Sequence, residues 1–464
     1  MRKFLCIAVM ACWAFTGTFA QRKTTLADSR AIEAYFSAVL RGEPAEYLKS
    51  TKIAPDKVAL TEAQVWELWK KANQDFENEE KLPPITSLYE NWATRMPVWT
   101  WKLGDEDMLF FYGSKGPKPA EGYPLFLCLH GSGDNDNEFR VTLDWAVRYE
   151  DAPSVYFIPR SPQGGTGCRW FQPTRQQAWE RMLRQAYLSG DIDPNRVYVF
   201  GISEGAYGSQ RLASFYADYL AGAGPIAGGE QMFQAPPENC ASIAFCLQTG
   251  DRDTMYGRRR LTLRAQAQWD SLQAAHPGYY EHKIDLQPGY GHGCDYRITT
   301  PYLKQYTRNP YPKYVHWESL ALGNINGEGA NFRDGFYNLY VKERSTDDSD
   351  YMVRSCYDMT IDDNTVALDV SVVTITPDNY TESPMGWKMT LGETKTYEKA
   401  TRGRVVIYLN DKLVDFDRPV TVLVNGVEKF RGKVTPNLRD MVKSCAEYFD
   451  PMRIYPASIE VTVE

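Results

Sequence analysis

Residues 201–209 read GISEGAYGS and stand between the apolar run RVYVF (196–200) and a helical stretch reaching to about residue 220. A lone serine flanked by glycines at such a junction has a physical reading. Turning a strand sharply into a helix lifts the serine clear of the sheet, and the tight turn tolerates only small neighbours. Gly201 and Gly205 supply that room, and Ala206 keeps the start of the helix slim. The peptide N–H of Glu204 then belongs to a helix N-terminus, where the dipole favours negative charge. A serine hydroxyl is a poor nucleophile at neutral pH. It needs a base, a group to hold that base, and donors for the oxyanion that forms.

The neighbouring segments carry candidates for each part. From about residue 97 the chain first shows an antiparallel pair, VWTWKL and MLFFYG. It then alternates short apolar strands with helices: PLFLCLHG, VYFIPRS, helix 174–189, RVYVFGIS, helix 206–220, SIAFCLQTG, helix 258–275 and YEHKIDLQPG. Apolar strands without polar alternation, separated by helices, predict a mostly parallel sheet covered on both faces. Active groups gather at the carboxyl ends of such strands. PLFLCLHGSG ends in His130-Gly131-Ser132-Gly133, a flexible backbone able to aim the N–H of Gly131 or Ser132 at a carbonyl oxygen. His130 precedes the serine and ends an early strand, so it reads as structural. LQTGDRDTMYG offers two carboxylates past a strand; Asp253 is preferred, with Asp251 as the alternative. LQPGYGHGCDY sets His292 among glycines, again after a strand. The order Ser203, Asp253, His292 is that of a nucleophile–acid–base triad on an α/β sheet. In the loop 161–174, Trp170 and Phe171 read either as walls for a sugar or aromatic ring or as cover for the core. RRR at 258–260 reads as a solvated helix start, and His276, His282 and His316 as surface or packing residues.

Outside this region the chain changes character. Residues 1–20 have a positive start, an apolar run and a small-residue exit, the pattern of a secretory signal. This predicts export to the periplasm or the extracellular space, with no later span long enough to cross a membrane. Residues 21–96 form a helical preface expected to pack on the α/β unit that follows, with Ile32, Phe36, Val39 and Leu40 on one face. Residues 97–320 make the α/β unit, and 321–350, containing ERSTDDSD, read as a linker. Residues 351–464 read as a small β-rich, sandwich-like module in which Asn425-Gly426 marks a hairpin. That module either binds carbohydrate or braces the rest, and bracing is preferred because no aromatic platform shows. The chain has 464 residues and a formal net charge of −7, which argues against nucleic acid as a partner. Two of the nine cysteines fall in the signal. The others show no CxxC pairing, so no metal site is indicated; Cys128 and Cys246 read as core, and Cys168 and Cys294 as a conceivable bridge.

Taken together, HGSG, GISEGAYG, TGDRD and GYGHG make residues 97–320 resemble the secreted α/β-hydrolases of the esterase and prolyl-oligopeptidase-like group. DYRITTPYLKQYTRNPYPKYVHWE (295–318) resembles the segment after the catalytic histidine in exported bacterial members. LNDKLVDFDRPVTVLVNG (409–426) resembles part of their C-terminal β module. The resemblance implies acyl transfer without cofactor or metal: Ser203 as nucleophile, His292 as base, Asp253 as its holder, and backbone N–H groups of Glu204 and of Gly131 or Ser132 as oxyanion donors. The substrate it favours is an ester, small or on a polysaccharide, of the acetyl or feruloyl type. A peptidase of the same group is the alternative, although the N-terminal stretch is too short for a propeller. A non-catalytic glycan-binding protein on the same fold is the reading from another class. Oligomeric state is not legible.

Overall fold

The computed structural model describes residues 28–45, 48–76, 79–89, 95–162, 170–322, 331–382 and 388–464. The apolar N-terminal run and Cys168 lie outside them. The inner strands of the central sheet are apolar for a reason visible in β4 (Tyr123–Leu129), whose seven residues are all buried. Leu125, Leu127 and Leu129 face one side layer, with Trp179, Leu212 and Trp269; Phe126 and Cys128 face the other, with Phe139, Tyr198 and Leu303. A strand covered on both faces cannot alternate apolar with polar.

The sheet runs β1 (Thr86–Ser87), β3 (Glu106–Lys115), β5 (Ser154–Pro159), β4, β6 (Ile192–Ile202), β7 (Gly222–Ile226), β8 (Ala244–Gly250), β9 (His282–Gln287), with β2 (Trp99–Leu103) paired to β3. β3 is antiparallel to β2 and β5, and every pairing from β5 to β9 is parallel. The helices of this unit are α3 (Asn135–Arg148), α4 (Pro173–Ser189), α5 (Glu204–Phe215), α6 (Arg258–Ala275) and α7 (Thr299–Leu303). This is the α/β-hydrolase fold, with β6 turning into α5 at its centre.

The flanking segments depart from the predicted boundaries. Before the sheet lie α1 (Ser29–Leu40) and α2 (Val58–Gln74). Their apolar stripes, Ile32, Phe36, Val65 and Trp69, do not settle chiefly on the hydrolase. They pack on Leu438, Met441, Val442 and Cys445 of α8 (Leu438–Tyr448), near the far end of the chain. β10 (Tyr314–Glu318), inside the segment assigned to the hydrolase, pairs with β13 (Val353–Asp362) and so belongs to the C-terminal part. The stretch read as a linker holds β11 (Gly335–Phe336) and β12 (Leu339–Glu343), and most of the polar run, residues 344–350, forms a loop after them. The polar cluster dominated that reading, whereas GFYNLYV just before it is mostly buried.

Two sheets face each other there. One is ordered β10, β13, β14 (Thr365–Glu382), β17 (Val420–Val424), β18 (Val427–Gly432), with β15 (Lys388–Lys399) on β14; the other is β11, β12, β16 (Arg404–Leu409), β19 (Ala457–Thr462). Asn425 and Gly426, both at positive φ, join β17 to β18 as the Asn-Gly hairpin predicts. The core is continuous from the hydrolase side layer into the space between these sheets.

Candidate active site

At the end of β6 the backbone of Ser203 is held at φ 53°, ψ −112°, a conformation costly for any residue with a Cβ. The neighbouring elements impose it. Ser203 N–H donates to the Ile226 carbonyl of β7 at 2.9 Å, and Ser203 O accepts from Ala206 N–H at 2.9 Å. Gly205 is required by close approach, since a Cβ there would stand 2.1 Å from the Leu129 carbonyl oxygen. The turn therefore presses against the end of β4, and Ser203 projects from it.

The ends of β8 and β9 are laced together. Asp251 N–H bonds the Gln287 carbonyl at 3.0 Å, and Arg252 N–H the Tyr290 carbonyl at 2.9 Å. A Cβ on Gly250 would lie 2.2 Å from the Gly291 carbonyl oxygen, so glycine is what lets the loops meet. This brings His292, half-exposed, to Ser203: Nε2 lies 3.1 Å from Oγ, and Nδ1 lies 2.7 Å from Oδ2 of buried Asp253. Asp251 turns away and accepts from Gly289 N–H at 2.8 Å. Of the two carboxylates, then, Asp253 reaches the imidazole and Asp251 braces the loop that carries it. Burial alone would push the Asp253 carboxyl up, but the His292 hydrogen bond and the Arg258 charge hold it below the usual carboxylate range.

Arg258 is the residue the sequence reading missed. Of the three arginines taken as solvated, Arg259 and Arg260 are exposed, whereas Arg258 is buried and donates to Asp253 Oδ1 at 3.1 Å. The available signal was its position, because cations are disfavoured in the first turn of a helix.

The loop after β4 is braced from behind. Ser161 N–H donates to His130 Nε2 at 3.0 Å, so Nδ1 carries the proton and donates to the Gly131 carbonyl at 2.7 Å. Burial lowers the His130 pKa to about 4, which keeps the ring neutral. Trp170 Nε1 donates to the His130 carbonyl at 3.0 Å, and Trp179 Nε1 to the Trp170 carbonyl at 2.9 Å. Trp170 is therefore no substrate wall: it is fully buried, because its indole N–H finds its partner inside. The face of Phe171 is likewise occupied, with the Arg211 guanidinium 3.7 Å from its ring centre. Of the two donors expected on this loop, Gly131 is buried and Ser132 is exposed beside it, so Ser132 is the candidate that faces outward. Glu204 opens α5, so its N–H lies in the first turn next to Ser203.

Among the described residues all six cysteines are free and buried, Cys294 among them. No helix among those residues is long and apolar enough to cross a membrane.

No protein-family model matches the chain. Over 141 residues, 27% of its length, it is 31% identical to the poly(3-hydroxyalkanoate) depolymerase C of Paucimonas lemoignei. Over 112 residues, 24% of its length, it is 31% identical to the bifunctional acetylxylan esterase/xylanase XynS20E of Neocallimastix patriciarum. The matches span 32% and 16% of those proteins. Among solved structures, a thermostable esterase is 21% identical, covers 47% of this chain and 64% of its own, and has a TM-score of 0.37. A ferulic acid esterase is 13% identical, covers 45% and 96%, and has a TM-score of 0.34.

Proposed function

We propose that this chain is an exported serine hydrolase that cleaves carboxylic esters through an acyl-enzyme, with an acetyl or feruloyl ester on a polysaccharide as its substrate class. The observation that carries the reading is the unbroken line Ser203 Oγ, His292, Asp253, with contacts of 3.1 and 2.7 Å, at the exposed end of the strand-to-helix turn. Ser203 attacks the ester carbonyl while His292 Nε2 takes its proton. Asp253 holds Nδ1–H, fixing the tautomer that leaves Nε2 free to accept, and stabilises the imidazolium that forms. The N–H groups of Glu204 and Ser132 meet the oxyanion, each contributing about 3 kcal/mol to the transition state. His292 then returns the proton to the leaving alcohol, and water repeats the sequence on the acyl-enzyme. The partial similarity to an acetylxylan esterase and a poly(3-hydroxyalkanoate) depolymerase supports an ester on a polymer.

The mature chain is to be incubated with p-nitrophenyl acetate beside Ser203→Ala. The expected loss in the variant is on the order of 10⁴-fold or more; equal rates would end the enzyme reading. Acetylated xylan, methyl ferulate and proline-containing peptides, offered side by side, separate the esterase from a peptidase.

A further inference from the structure

Three arginines open α6, and Gly257 before them brings no side-chain cap. Positive charge is disfavoured at that end of a helix, and a buried cation there is costly unless an anion meets it. Asp253 is that anion. One of its oxygens takes the Arg258 Nη1 bond at 3.1 Å and the other takes His292 Nδ1 at 2.7 Å. With a separate partner on each oxygen, the carboxylate plane cannot swing. The same guanidinium donates through Nε to the Tyr207 hydroxyl at 3.2 Å. Tyr207 lies one turn beyond Ser203 on α5, its N–H bonded to the Ser203 carbonyl at 3.3 Å. Arg259 N–H adds a 3.0 Å bond to the Asp253 carbonyl, so the start of α6 grips the acid from both its backbone and its side chain.

The geometry points to Arg258 as a positioning residue: strapped to the nucleophile helix through Tyr207, it fixes the free oxygen of Asp253 and thereby the aim of the His292 ring at Ser203. The inference rests on the triad reading above and deepens it. It has an electrostatic consequence. Facing Asp253 are His292, Arg258 and the thiol of Cys294, which burial pushes up to about 11 and so keeps neutral. Facing Tyr207 are Arg258, Glu230 and Glu204, and Glu230 is itself paired with Arg211 at 2.6 Å. Arg258 therefore offsets part of the Asp253 charge that the imidazole feels. Without it the imidazolium is favoured, and the base stays protonated, and inactive, to higher pH.

The test compares wild type with Arg258→Met, Arg258→Lys and Tyr207→Phe, each checked by circular dichroism. Rates are followed on p-nitrophenyl acetate from pH 4 to 9. Arg258→Met is expected to lower kcat roughly 10- to 100-fold with KM nearly unchanged, and to move the acid limb of kcat/KM up by about one pH unit. Arg258→Lys keeps the charge but not the fork, so it should hold the acid limb and still lose kcat several-fold; it also serves if the methionine variant does not fold. Tyr207→Phe should lower kcat a few-fold without moving the limb. The His292 ring titrated by NMR in Ser203→Ala, with and without Arg258→Met, gives the same upward shift independently of turnover. A failure of the hydrolase reading would leave that shift intact. An unmoved His292 titration with wild-type kcat in folded Arg258→Met, or an acid limb displaced as far in Arg258→Lys, would overturn the inference.

Discussion

At the scale of single residues, the two carboxylates past β8 make the sharpest contrast. Asp253→Asn should cut kcat on p-nitrophenyl acetate by roughly 10³–10⁴-fold, because the amide favours the wrong imidazole tautomer. Asp251→Asn loses only the charge on a bond to Gly289 N–H, so its rate should stay within about tenfold of wild type, at a stability cost of about 1 kcal/mol. Ser203 itself is held at positive φ for function rather than for stability. Ser203→Gly should therefore abolish turnover yet raise stability by about 1 kcal/mol, readable as a higher melting temperature. Much of this scale was legible: Gly201 and Gly205 beside Ser203 announce a close approach, and that signal is local in sequence. Arg258 was not, because its meaning comes from a side chain five positions back that only folding turns toward it. Trp170 misled for a similar reason, since an aromatic in a loop reads the same whether it faces solvent or a carbonyl inside.

Among the elements, those covered on both faces were the easiest to read and those at edges the hardest. β7, GAGPI, is the exception among the covered strands: it opens on Gly-Ala-Gly, where Thr299 and Leu303 of α7 press on Gly222 and Gly224, and so it lacks a strand's usual bulk. β15, KMTLGETKTYEK, sits on the rim of its sheet with much of its length in solvent, and its polarity concealed it. The helix α3 carried its own signal, an Asp134 cap accepting from Asn137 N–H at 2.9 Å, which the sequence reading passed over. α8 offers a test of pH dependence. Burial raises the Glu447 carboxyl to about 7, although its bond from the Tyr408 hydroxyl works the other way. A carboxyl with a raised folded pKa binds more protons folded than unfolded, so stability is lost as pH climbs from about 4.5 through 7. Glu447→Gln should remove that loss, gaining on the order of 1–2 kcal/mol at pH 8 relative to wild type and little at pH 4, as measured by denaturant melts.

For the whole molecule, the joint between hydrolase and C-terminal sheets is made of buried charge as well as core. Asp218, just beyond α5, accepts from Arg333 at 2.6 and 2.8 Å and pairs with Arg453; Asp450 accepts from Arg453 at 2.8 Å and Arg308 at 2.7 Å. Removing one member leaves partners stranded in the interior, so Asp218→Asn should cost about 3–5 kcal/mol by thermal melt. Burial alone would raise both carboxyls, yet the arginines hold them below the ordinary aspartate value. Their stabilisation is present above that value and lost as pH falls through it, so wild type should lose more stability between pH 5 and 3 than Asp218→Asn does. None of this joint was legible in the sequence, where five charged residues scattered over two predicted domains and the linker between them look like surface. The same holds for α1 and α2: the apolar face of α1 was read, but the partner that the two helices share was not. That partnership bears on how the protein is made. A ribosome delivers these two helices well before α8, so their greasy sides wait for a mate while the whole central sheet is being made. They are housed only when α8 arrives.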